Sequence, residues 1–131
     1  MAQPVIRGGN AATETLAELF ASVDRQDTEA FLRFLTEDAT FRFGSAPPVT
    51  GKDAIGDAVR QFFSTIAGCR HTLHNVVGND STLVCEGEVT YTRHDRSEIS
   101  LPFVNVFEFA KDLIANYKIY IDAARLYEPD R

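Results

Sequence analysis

The chain has 131 residues and a formal net charge of −6, with 44% hydrophobic and 24% charged residues. This composition is typical of a single folded domain and excludes a disordered chain. The negative charge argues against nucleic acid or an anionic membrane surface as the main partner, and no apolar run is long enough to span a bilayer. With two cysteines and no CxxC motif, neither a disulfide framework nor a metal site is expected. The first ten residues lack an apolar signal core, which indicates a cytoplasmic protein.

The first half of the chain predicts helices. Residues 1–11 have the character of a loose tail. The first helix begins near Thr13, because apolar residues follow at positions i, i+3, i+4 and i+7, namely Leu16, Leu19, Phe20 and Val23. A second helix is capped by Asp27 or Thr28, and its apolar side carries Ala30, Phe31, Phe34 and Leu35.

A short strand over 39–43 and a loop over 44–51 come next, since Pro47 and Pro48 in that loop can continue neither a helix nor a strand. Thr50 followed by Asp53 resembles a capping box, so a third helix is predicted to start near Lys52 and to stop at Gly68.

The second half of the chain is strand-like throughout. Runs rich in β-branched and aromatic residues cover 71–77, 83–94, 99–109 and 114–124, with turn residues between them. Helices followed by an antiparallel meander predict an α+β fold, with three N-terminal helices packed against one mainly antiparallel sheet. The domain is expected to span 12–127 and to leave a C-terminal tail over 128–131.

The last two strands form the predicted centre of the fold. A two-residue turn at 111–112 would place Asn105 opposite Lys118 and Phe103 opposite Tyr120, with Asp122 further along the same face. The other face would also be apolar, since it carries Val104, Val106, Ile119 and Ile121. Two apolar faces need two covers, so we expect the helices on one face and a second subunit on the other, as a homodimer through the sheet.

Several phrases resemble the nuclear transport factor 2-like superfamily, in its SnoaL-like branch. They are DTEAF at 27–31, EDATF at 37–41, TGKDAI at 50–55, PFVNVF at 102–107 and YKIYID at 117–122. The resemblance covers roughly residues 12 to 127. It implies a cone-shaped fold in which a strongly bent sheet wraps around helices and encloses a deep pocket, usually in a dimer that pairs its sheets.

The resemblance also allows the activities of family members to be tested residue by residue. A ketosteroid isomerase would have its base where this chain has Phe43, its tyrosine at Leu19 and its protonated acid at Asn105. All three differ, and without a base near the acidic carbon that proton transfer has no acceptor.

A limonene epoxide hydrolase would have an Asp-Arg-Asp relay. Asp122 matches the final aspartate, but the other two positions fall on Glu88 and Thr90. The Arg93-His94-Asp95 segment looks similar to the relay, but by spacing it lies at a hairpin tip.

Four residues are the candidates for chemistry. Asp122, on an otherwise apolar strand, would be the acid or base, and Asn105 would orient an oxygen of the ligand. His74 shares parity with Val76 and could assist as a base. Glu88 would join Asp122 only if its row of alternating polar residues points inward; if it points outward, that row is a solvated face.

The aromatic residues expected to line the pocket are Phe20, Phe43, Phe62, Phe103, Phe107 and Tyr120. Together with the resemblance, these residues predict a cofactor-independent enzyme that performs acid–base chemistry on a small apolar or polyketide-like molecule. Cyclase, hydratase or dehydratase, isomerase and epoxide-hydrolase reactions all remain open, and no cofactor or metal is expected. The alternative is a non-catalytic ligand-binding or dimeric scaffold domain.

Overall fold

The computed structural model describes residues 5–6 and 10–128. The helices are α1 (Asn10–Asp24), α2 (Thr28–Leu32) and α3 (Lys52–Ser64), followed near the C-terminus by a short 3-10 helix (Ala123–Tyr127). The strands are β1 (Val5–Ile6), β2 (Leu35–Phe43), β3 (Val49–Thr50), β4 (Gly68–Gly78), β5 (Thr82–Thr92), β6 (Glu98–Ala110) and β7 (Leu113–Ile121). None of the helices within these ranges is long and apolar enough to cross a membrane.

Within the described residues the strands form one mixed sheet in the order β1-β4-β5-β6-β7-β2-β3. The meander from β4 to β7 is antiparallel, as predicted, while β1 and β2 join it as parallel partners of β4 and β7. The helices bury their apolar sides against the inner face, where Leu16 and Ile55 belong to one core cluster with Val89 and Phe107. The α+β cone fold is therefore confirmed.

Several predicted boundaries are wrong. Leu35 begins β2 instead of lying on the apolar side of the second helix, and β3 lies in the predicted loop. The N-cap of α3 is Gly51, at φ 93°, and it makes no side-chain cap bond, so Thr50 does not form the expected capping box. Residues 5–6 of the predicted N-terminal tail pair with β4, whereas 1–4, 7–9 and 129–131 lie outside the described residues.

A β-bulge in β7 decides which side chains of the last hairpin face inward. The pair Phe109–Ile114 follows the predicted two-residue turn, but the next pair is Glu108–Asn116, which leaves Ala115 as an extra residue. Because side chains alternate along a strand, one extra residue turns the rest of β7 over. Asn105 therefore pairs with Ile119, and the predicted pairing with Lys118 is wrong.

A second bulge acts in the same way on β4. Leu73 pairs with Gly87 and Asn75 with Glu86, so His74 is the extra residue between them. His71 faces the interior on one side of this bulge and Val76 is buried on the other, while His74 is exposed. The predicted parity of His74 with Val76 is wrong because the bulge lies between the two residues.

Candidate active site

A cavity of about 210 Å³ opens between the inner face of the sheet and the helices. Three of the predicted lining residues, Phe43, Phe62 and Phe103, line it. A cavity of about 150 Å³ with apolar walls is enough for a benzene-sized molecule, so this one has room for a single-ring compound. Among the described residues, the lining includes no lysine or arginine, so the cavity favours an uncharged occupant.

The other three predicted lining residues are not part of the cavity wall. Phe20 and Phe107 are buried behind it, with ring centroids 6.4 Å apart. Tyr120 is 57% exposed, because the bulge in β7 turns it to the outer face.

The main polar feature of the cavity is a carboxylate–imidazole pair. Asp24 Oδ1 lies 2.6 Å from His71 Nδ1, and Asp24 Oδ2 accepts a hydrogen bond of 3.1 Å from the backbone N–H of His71. The side chains are 30% exposed for Asp24 and 11% for His71, and His71 lines the cavity. With Asp24 ionised, a neutral imidazole carries its proton on Nδ1, which leaves the Nε2 lone pair free to accept a proton.

The end of α1 places this carboxylate. Asp27 N–H donates to Ser22 C=O, Gln26 N–H donates to Val23 C=O, and Gln26 has φ 57°. These two bonds and the left-handed residue form a Schellman motif, which stops the helix just after Asp24. The negative charge of a carboxylate interacts unfavourably with the C-terminal end of the helix dipole, and the two hydrogen bonds to His71 offset this cost.

The imidazole of His71 is fixed by aromatic packing. Its ring centroid lies 4.8 Å from that of Phe20 and 5.4 Å from that of Phe103, the latter nearly edge-to-face at 80°. Within the described part of the chain, no hydrogen bond engages Nε2. The pair therefore combines an oriented imidazole, a carboxylate behind it and an apolar space beside it, which is an arrangement suited to proton transfer.

Cys69 lies next to this pair. Its thiol donates to Val23 C=O at 3.4 Å and lies 3.9 Å from Asp24 Oδ1. Burial raises the pKa of the Cys69 thiol to about 12, and the negative charge of Asp24 adds to the effect, so the thiol is protonated at neutral pH. The donor atoms of Asp24, Cys69 and His71 all lie within 4.8 Å of one another, so these three are the described residues best placed to hold a metal ion.

Asn105 occupies the inner face, as the sequence predicts. It is 2% exposed and lines the cavity, between Cys85 and Ile119 on the neighbouring strands. Its Oδ1 is buried and accepts no hydrogen bond from any described residue. Buried polar atoms are nearly always paired, so this unpaired oxygen is an exception in the core.

The other three candidate residues lie away from the cavity. Asp122 follows the end of β7 and is exposed; within the described residues it forms no ion pair with Arg125. Glu88 lies on the outer face, which makes its polar row the solvated one, and His74 is the exposed bulge residue. The structure therefore does not bring these three residues together at the cavity, and for Glu88 it matches the alternative of an outward, solvated row.

Sequence reasoning missed the Asp24–His71 pair. Asp24 stands in an acidic helix end, where a solvated carboxylate is the ordinary expectation. In a regular strand His71 and His74 lie on opposite faces, so the parity of His74 with Val76 would turn His71 outward, and the bulge reverses that argument. A separate reading of the apolar–polar alternation on each side of a possible bulge in β4 would have predicted that His71 faces inward.

The structure therefore combines an α+β cone fold with a mostly apolar cavity and the Asp24–His71 pair at the wall of that cavity. The profile of the SnoaL-like domain family matches residues 16–117, so the chain belongs to that family. Comparison with curated proteins finds no match.

Solved structures share this fold. An NTF2-like protein of unknown function from Burkholderia pseudomallei is 18% identical, with a TM-score of 0.81 over 90% of this chain and 95% of that one. TerC, which was co-crystallised with polyporic acid, is 14% identical, with a TM-score of 0.78 over 90% and 96%. An LEH-like epoxide hydrolase from M. tuberculosis is 13% identical, with a TM-score of 0.74 over 87% and 84%.

Proposed function

We propose that this protein is a cofactor-independent enzyme that moves a proton on a small, uncharged, cyclic molecule. His71 is the base, and Asp24 fixes its tautomer and stabilises the imidazolium that forms. The single observation that carries the proposal is the 2.6 Å contact between Asp24 Oδ1 and His71 Nδ1 at the wall of an apolar cavity. In such a site an oriented base contributes roughly 10²- to 10⁴-fold to the rate.

The reaction class follows from having one proton carrier. His71 Nε2 takes a proton from carbon, and the imidazolium then returns it either to a leaving hydroxyl, which eliminates water, or to another carbon, which shifts a double bond. Both reactions need only proton transfer away from bulk water. TerC, with the same fold, was co-crystallised with polyporic acid, which supports a small-molecule ligand here.

Epoxide hydrolysis by an Asp-Arg-Asp relay is disfavoured for this chain. Arg93 donates from Nε to Leu126 C=O at 2.8 Å and from Nη1 to Ser97 Oγ at 3.0 Å, outside the cavity lining. Asp122 is exposed. The relay's groups are therefore not assembled around the cavity.

A panel of single-ring β-hydroxy ketones and β,γ-unsaturated ketones tests the proposal, because both reactions give conjugated enones with strong ultraviolet absorbance. We expect the wild type to convert at least one member, and His71→Asn to lower its kcat by roughly 100-fold or more. His74→Asn is the matched control, since that histidine is exposed, and its kcat should be unchanged. A panel that is bound but not converted would instead favour a non-catalytic binding protein.

We further propose that the outer face of the sheet pairs two copies of the chain. Val104 and Tyr120 are directly paired across β6 and β7 and are 37% and 57% exposed, and Val77 is 40% exposed on β4. Glu86 pairs with Val104 on the same face, while the expected Ile119 and Ile121 face the cavity, so the proposed interface joins exposed apolar side chains with a polar surround. Light scattering after size exclusion should give a dimer for the wild type, and a Val104→Lys variant should be shifted towards monomer. A monomeric wild type at micromolar concentration would refute the interface.

A further inference from the structure

The cavity has a second polar end that the acid–base pair does not use. Asn105 is only 2% exposed, and its Oδ1 accepts no hydrogen bond from any described residue. An unpaired acceptor in a protein core lowers the free energy of unfolding, typically by about as much as the burial of several methylene groups raises it. The position therefore requires either water or a ligand group that donates.

Tyr117 supplies the complementary group. It is 2% exposed and lines the cavity, and its ring is held by Phe107 at 4.5 Å and Phe41 at 5.2 Å between centroids. Its hydroxyl makes no hydrogen bond to any described residue. Burial raises the pKa of Tyr117 well above its usual value, so this hydroxyl remains a donor at neutral pH.

The register of β6 and β7 brings the two groups together. Asn105 pairs with Ile119 and Phe107 pairs with Tyr117, so Asn105 and Tyr117 are diagonal neighbours on the inner face. Such neighbours have Cα atoms about 7–8 Å apart, within reach of a tyrosine side chain. Phe103, two residues before Asn105 on β6, contacts the ring of His71 and so lies between the Asn105–Tyr117 groups and the acid–base pair.

We propose that Asn105 and Tyr117 form a subsite for one uncharged hydroxyl group of the substrate. That hydroxyl donates to Asn105 Oδ1, which a rotation of the side-chain amide brings to the cavity surface, and accepts from the Tyr117 hydroxyl. The rest of the ring lies along Phe103 towards His71. This subsite deepens the proposed function, since it defines the substrate as a cyclic alcohol or phenol whose hydroxyl is remote from the reacting carbon.

Three single-ring probes of similar size test the subsite by calorimetric titration. Toluene offers no polar group, 4-methylanisole can only accept, and p-cresol can both donate and accept. Because two net hydrogen bonds separate p-cresol from toluene, we expect p-cresol to bind roughly 30-fold more tightly, with 4-methylanisole much closer to toluene. Equal binding of p-cresol and toluene would overturn the subsite, and so would 4-methylanisole binding as tightly as p-cresol.

Variants assign the effect to the two residues. Tyr117→Phe, which removes only the hydroxyl, should reduce the preference for p-cresol roughly fivefold or more, while Tyr120→Phe on the outer face should leave it unchanged. Asn105→Leu should also reduce the preference, and it should raise the melting temperature of the free protein because it removes an unpaired buried acceptor. A preference that survives both inner-face variants would refute the assignment.

The same titration separates this inference from the proposed function. His71→Asn should keep the p-cresol preference although it abolishes turnover, because His71 lies at the other end of the cavity. If turnover depends on His71 and the probes bind alike, the subsite is wrong and the acid–base pair stands. If the preference is present without any turnover, the pair is wrong and the subsite stands.

Discussion

The pairing of Asp24 with His71 can be measured without knowing the substrate. A double-mutant cycle of Asp24→Ala and His71→Ala isolates the contact between the two side chains. The packing of the His71 ring on Phe20 does not depend on Asp24, and the hydrogen bond from the backbone N–H of His71 to Asp24 does not depend on the His71 side chain, so both contributions cancel in the cycle. A hydrogen bond to a charged group contributes about 1.5–3 kcal/mol. Because the Asp24 side chain is 30% exposed, solvent screening reduces this, and we expect a coupling energy of about 1–2 kcal/mol at pH 7.

The assay is urea denaturation of the four proteins, followed by circular dichroism. Arg60 and Glu29 provide a matched control, because their contact is also 2.6 Å long but the two side chains are 51% and 71% exposed. A cycle of Arg60→Ala and Glu29→Ala should give a coupling of roughly 0–0.5 kcal/mol. If the cavity pair couples no more strongly than this surface pair, the reasoning about an oriented imidazole is wrong.

Three further predictions concern stability and reactivity. A Cβ at Gly87 would lie 2.0 Å from the backbone oxygen of Thr72, so Gly87→Ala should destabilise the protein by about 2–4 kcal/mol in urea, whereas Gly68→Ala, whose nearest neighbour is at 3.8 Å, should cost under about 1 kcal/mol. At pH 8, Cys69 should react with iodoacetamide about 1000-fold more slowly than a thiol with the ordinary pKa of 9.0, and a normal rate would contradict its burial. Burial also raises the pKa of Cys85 to about 12, so the unfolded chain loses both thiol protons first. The two thiols should leave the free energy of unfolding unchanged below pH 9 and lower it between pH 9 and 12 by about 1.4 kcal/mol per thiol per pH unit. Burial raises the pKa of Tyr91 and Tyr117 as well, so the fall should steepen above about pH 10, which urea midpoints across that range would show.

The sequence predicts the architecture well because the fold depends on patterns that repeat. Apolar spacing locates the three helices, and the alternation of the last four strands gives the antiparallel meander with Asn105 on its inner face. These signals extend over ten or more residues, so a local irregularity does not destroy them.

The candidate site is predicted less well because it depends on two single residues. The extra residue Ala115 exchanges the faces of Tyr120 and Ile121, and the extra residue His74 makes His71 the inward histidine. Neither bulged strand has a glycine or proline at the bulge, and the one mark in the sequence is Gly87 on the partner strand, which pairs with Leu73 beside the bulge in β4. Asp24 is hidden for a different reason, since its role depends on a contact between residues 47 positions apart.

The most direct test of the account compares two carboxylates on whichever ketone of the panel is converted. The structure places Asp24 behind His71 and leaves Asp122 exposed, although sequence alone favours Asp122. The measurement is kcat for Asp24→Asn and for Asp122→Asn. We expect kcat to fall by roughly 100-fold or more for Asp24→Asn and to change by less than about twofold for Asp122→Asn. A large loss for Asp122→Asn with Asp24→Asn unaffected would contradict it.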